Sequence, residues 1–196
     1  MGAILANRTY AIALATLLAV LVIAGYHGGV MDATWTIAFV VFLHVLSGIV
    51  WIGLLYYFNL VQIPTMPKVP AELKGGVSKF IAPEALLWFR WGAVATLITG
   101  LAAAYLKGYA HQAFTLQAGW RVIGTGMYLA VIMAANVWFI IWPNQKRALS
   151  LVPADDATKA SSARTAMLAS RTNFVLSFPM LYCMVTQLYL GGAGNG

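Results

Sequence analysis

Apolar residues along the chain gather into five long runs, at about 9–26, 35–60, 84–106, 120–142 and 172–190, separated by short polar stretches. Crossing roughly 30 Å of hydrocarbon takes about 20 largely apolar residues in a helix, so each run predicts a transmembrane helix. The first and last are short, and the second is long enough to tilt. "HGGVMDAT", the proline-rich "IPTMPKVPAELKGG" and "KGYAHQ" read as connections between them. The longest and most polar stretch, "PNQKRALSLVPADDATKASSARTA", predicts a helix lying on the membrane surface, with Pro143 ending the fourth span. Neither a second domain nor a strong internal repeat is visible. The expectation is an all-α integral membrane bundle of five helices in a single transmembrane domain, 1–196.

Composition supports that class. Of 196 residues, 61% are hydrophobic and only 9% charged, against about 25% charged in soluble domains. A net charge of +7 would suit nucleic acid, but the positions of the cations exclude it. Five crossings put Arg8, Lys68, Lys74, Lys79, Arg90, Lys146, Arg147, Lys159, Arg164 and Arg171 on one side and only Lys107 and Arg121 on the other. Such a bias sets orientation. It predicts a cytoplasmic N-terminus and an external C-terminus, with the basic charge serving topology and anionic membrane lipid. Arg8 alone precedes the first run and "AGYHGG" follows it, so the run reads as a retained helix rather than a cleaved signal peptide. The single cysteine, Cys183, excludes an internal disulfide, and without Cys-x-x-Cys-His there is no covalent haem attachment.

The predicted topology places His27, His44 and His111 in the outer half of the protein. His44 lies about 13 Å into the second helix at 1.5 Å per residue, within the oily "FLHVLSGIVWIG". His44, Gly48, Trp51 and Leu55 recur on one helix face, with Ser47 flanking it. A histidine followed one turn later by glycine suits a flat macrocycle: the imidazole reaches iron, the missing side chain admits the ring, and Trp51 packs at its edge. The same residues also suit a histidine bonded to a neighbouring helix beside small packing positions.

A second axial ligand could come from His27, His111 or a methionine. The fifth run carries Asn173, Ser177, Met180, Met184 and Gln187 as one polar and sulfur-bearing stripe, which must face the bundle interior because lipid leaves amides unpaired. Met180 and Met184 are therefore candidate ligands, and interhelical bonding is the alternative use of the stripe. Arg90 could clamp a haem propionate by a charge-assisted bond or snorkel to the inner surface. Arg121 stands nearer the outer histidines for the propionate role. Gly92, Thr96, Gly100 and Ala103 read as a helix-packing face, and Asn136 as a bond to a neighbouring helix. No nucleophile–base pair, intramembrane carboxylate pair or glycine-rich phosphate loop is present, which leaves hydrolase chemistry unsupported.

Several segments together resemble the membrane domain of bacterial membrane-bound urate hydroxylases, the urate oxidase N-terminal family. They are "LHVLSGIVWIGLLYYFNLVQ", "APEALLWFRWGAVATLITG", "GW" at 119–120, "NVWFIIWPNQK" and "RTNFVLSFPMLYCMV". The resemblance implies a redox membrane domain centred on His44, in a bacterial inner membrane. Larger members of the family resemble such a domain followed by an external c-type cytochrome, and this chain shows no haem-attachment cysteines. Residues 42–57 also resemble small membrane haem proteins such as the oxygen-independent type of membrane protoporphyrinogen oxidase. The combined expectation is a haem b-binding electron-transfer protein or oxidoreductase, with an external cytochrome c or a larger membrane complex as partner. The alternative is a non-catalytic accessory subunit of a respiratory or oxidase complex.

Overall fold

The computed structural model describes residues 2–190. Among them no strand occurs. After a short turn of helix come α1 (Arg8–His27), α2 (Ala33–Lys68), α3 (Ala71–Leu106), the short α4 (Ala110–Phe114), α5 (Arg121–Ala148) and α6 (Asp156–Leu190). All except α4 are long and apolar enough to cross a membrane, which makes five, as the hydrophobic pattern requires. Residues 191–196, placed on the outer side by the sequence reading, lie outside the described residues.

The chain forms two compact units that divide within α2, one ending at Phe39 and the other starting at Val40. In the first unit the Asn7 side-chain oxygen accepts from the Thr9 and Tyr10 amides at 2.9 and 3.3 Å and starts α1. That helix buries none of its residues, in keeping with a sequence apolar on every side. Asp32 accepts from the Trp35 amide at 2.8 Å at the start of α2, and Trp35 stacks on Phe39 with ring centroids 5.1 Å apart.

The second unit packs by small residues and polar bonds, which serve between membrane helices where burial of oil against oil gains nothing. Helices α2 and α3 meet in antiparallel register. A Cβ on Gly92 would stand 3.2 Å from the Trp51 amide nitrogen, and the Gly48 position faces the Thr96 methyl. Trp51, Leu55, Phe89, Met133 and Val137 are fully buried, together with Asn173 and Ser177 of α6. Asn173 donates to the Met133 carbonyl at 2.9 Å and accepts from Asn136 at 2.7 Å, fixing α6 against α5. Asn136 thus bonds its neighbouring helix as its sequence position suggests.

Three wide turns interrupt the helices, at Tyr57–Gln62 in α2, Val77–Ile81 in α3 and Val137–Ile141 in α5. Each ends two residues before a proline: Pro64, Pro83 or Pro143. The amide just before each proline reaches back five residues, from Ile63 to Phe58, Ala82 to Val77 and Trp142 to Val137. Proline donates no bond and its ring collides with the carbonyl four residues earlier. Widening the turn relieves that collision without breaking the helix. Pro143 therefore does not end α5, contrary to the sequence reading, and the helix runs on to Ala148.

The surface helix expected over 143–166 is also replaced. Its first part extends α5, a turn with Ser150 at φ +57° follows, and Asp156 begins α6. The reason lies in one stripe. Ser162, Ala166 and Ser170 are buried in line with Asn173, Ser177 and Met180, so the polar face read from Asn173 onward begins about three turns earlier. Small residues there let α6 approach its neighbours, while Arg164 stays exposed.

Candidate functional site

His44 stands where α2 crosses α3. A Cβ on Gly100 would come within 2.8 Å of its Cε1 and 3.0 Å of its Nδ1, so the ring occupies the space that glycine leaves. Nδ1 lies 2.9 Å from the Thr96 carbonyl oxygen. A carbonyl only accepts, so Nδ1 carries the hydrogen and Nε2 keeps its lone pair. The Thr99 hydroxyl is 3.4 Å from the same nitrogen but donates to the Ala95 carbonyl at 2.6 Å, leaving the Thr96 carbonyl as the main partner. Thus the small-residue face of α3, read from sequence as packing alone, also holds the histidine.

The imidazole lines a cavity of about 580 Å³ between α2, α3, α5 and α6, within the roughly 300–1,000 Å³ usual for small-molecule and cofactor sites. Gly48 and Trp51 line it from α2, Met127 from α5, and Met180 and Met184 from α6. Lys107 and Tyr109 stand at the end nearest α4. Tyr109 stacks on Trp120 at 4.7 Å, and burial pushes its phenol above the ordinary tyrosine range. Nearby, Gln187 donates to the Gly119 carbonyl at 2.9 Å and its oxygen accepts from the Ile123 amide at 3.0 Å. Gln187 thereby ties the start of α5 to the end of α6. Val45, Ile49, Val131 and Val185 on the rim are exposed, so the cavity opens sideways from the helices.

Five candidate haem-contact residues read from sequence, His44, Gly48, Trp51, Met180 and Met184, thus meet around one cavity. The others stand elsewhere. Arg90 does not line it; its guanidinium lies 3.3 Å over the Trp142 ring. Arg121 is exposed and donates to the Leu116 carbonyl at 3.3 Å. His111 is exposed on α4, away from the lining, and His27 ends α1 in the other unit. Lys107 and Tyr109 were not anticipated as lining residues. They follow the third hydrophobic run directly, and nothing in their spacing distinguishes them from an ordinary connection. Among the described residues no three His, Cys, Asp or Glu side chains cluster to hold a bare metal ion.

Fold and cavity together define a multi-pass helical membrane protein with a laterally open, largely apolar cavity among its helices. The family described as urate oxidase N-terminal matches residues 102–193, so this part of the chain is similar to that family. The matched stretch runs from the last part of α3 through α6 and includes Lys107, Tyr109, Met127, Met180 and Met184; His44 lies before it. No curated protein and no solved structure matches the chain.

Proposed function

We propose that this protein binds a b-type haem in the cavity and serves as an electron-transfer protein or oxidoreductase of a bacterial inner membrane, related to the membrane domains of urate hydroxylases. One observation carries the reading: His44 commits Nδ1 to the Thr96 carbonyl and so offers Nε2 as a ligand beside a cavity of cofactor size. A backbone acceptor of this kind orients metal-binding histidines generally. A lone imidazole suits an ion whose remaining positions a macrocycle fills. When bound, such a group supplies one-electron chemistry.

The residues present fit that occupant. Gly48, without a side chain, would let a flat ring lie close to the α2 backbone, and the fully buried Trp51 lines the cavity beside it. Met127, Met180 and Met184 line the cavity from α5 and α6, and their thioethers would be the further ligands available to such a group. Lys107 and Tyr109 supply the polar end that propionate carboxylates need, in place of Arg90 and Arg121. The apolar lining keeps water from the imidazole. Electrons would pass between a quinol or small reductant and an external acceptor such as a cytochrome c.

The test is an absorption spectrum of the purified full chain, oxidised and then reduced with dithionite. A Soret band with reducible b-type features is expected, and His44→Ala should lose it while keeping the helical circular dichroism. Full haem in His44→Ala would reject the ligand. No Soret band in protein from haem-supplied cells would turn the reading to a non-catalytic accessory subunit.

A further inference from the structure

Arg90 is the anomaly that the cavity does not use. It is a cation that no accessible pH neutralises, only 9% exposed, and the one charged residue between 85 and 106 of α3, six residues beyond Glu84. Its Nε and Nη1 are buried without an acceptor among the described residues. Trp142 covers the flat face of the guanidinium at 3.3 Å. Stacking satisfies that face through the ring's negative quadrupole, but the N–H bonds lie in the guanidinium plane and point past the indole. Leaving them unmet is costly wherever water is scarce.

A second cation approaches the same indole. Lys146, one turn beyond Trp142, places Nζ 5.7 Å from the ring centroid. Two like charges sharing one ring repel unless an anion sits with them. The neighbouring Arg147 is exposed, so positive charge is concentrated at this end of α5. We propose that Arg90, Trp142 and Lys146 form a binding site for the phosphodiester headgroup of an anionic phospholipid. Two phosphate oxygens match the in-plane fork of the guanidinium, the ammonium adds a point charge, and an interfacial tryptophan belongs at headgroup depth. Basic clusters near the ends of membrane helices attract anionic headgroups on physical grounds.

The site is independent of any haem, and its test is too. Delipidated full chain in neutral detergent is titrated with phosphatidylglycerol, with phosphatidylcholine, or with inorganic phosphate, while thermal unfolding is followed by circular dichroism and bound lipid by native mass spectrometry. Phosphatidylglycerol should raise the midpoint and remain bound, and phosphatidylcholine should not. Arg90→Gln should weaken phosphatidylglycerol binding about tenfold or more, the loss of a charge-assisted bond, whereas Arg147→Gln should leave it unchanged. If Arg90→Gln does not fold, Lys146→Gln and Trp142→Phe provide the comparison, and both should lower lipid retention. Equal binding of the two lipids, or unchanged retention in these variants, would overturn the proposal. A midpoint rise with inorganic phosphate matching that with lipid would also overturn it, assigning the site to a soluble anion.

Discussion

The imidazole of His44 depends on a residue that has no side chain. With Cε1 only 2.8 Å from where a Gly100 Cβ would stand, Gly100→Ala must push the ring off the Thr96 carbonyl or part α2 from α3. Overpacking of this kind costs about 1–3 kcal/mol. The expected result is a lower thermal midpoint and a smaller Soret absorbance per protein than wild type, read on the same sample. Gly48→Ala is the matched control for packing, since its Cβ meets only the Thr96 methyl at 4.0 Å. Its fold should be unchanged, so any ligand it loses measures the cavity itself. If Gly100→Ala retains both midpoint and absorbance, the ring does not need the place the geometry gives it.

Between elements, α6 is held by amide pairing inside the bilayer. Asn173→Leu removes the donor to Met133 and the acceptor for Asn136 together. Polar bonds between membrane helices are worth roughly 0.5–2 kcal/mol each, so unfolding in mixed micelles should shift by about that amount, with the helix content at the start unaltered. No shift would mean that packing of the small stripe alone holds α6. That stripe was legible in the sequence because spacing survives without coordinates. Its beginning was not, since Ser162 and Ala166 sit among charges that suggest a solvated face. The wide turns were likewise hidden: a proline announces trouble in a helix but not its remedy, and Pro143 was read as a stop. Thr96 was hidden for another reason. Its contribution to the site is a backbone carbonyl, a group that every residue possesses, and only the crossing of α2 with α3 selects it.

For the molecule as a whole, sequence sufficed for class: long apolar runs and scarce charge leave few alternatives to a helical membrane protein, and the five long helices agree. Orientation is a separate matter, and the cation asymmetry makes a definite prediction. In a Cys183→Ser background, Ser150→Cys lies in the turn between α5 and α6, and Gln117→Cys lies between α4 and α5. An impermeant thiol reagent added to intact cells should label the second variant and spare the first. The opposite pattern would invert the molecule and put the α4 end of the cavity on the cytoplasmic side. Where the site residues would meet was only half visible beforehand, since helix faces follow from periodicity but helix neighbours do not.

The exposed valines and isoleucine at the cavity rim mean that an occupant arrives through oil, not through water. Its supply is then governed by how strongly it partitions into lipid, and solubilising the protein in a large excess of detergent dilutes that supply even when nothing is washed away. Occupancy should accordingly follow the ratio of ligand to amphiphile, and preparations that look empty in abundant micelles should refill in a small patch of bilayer.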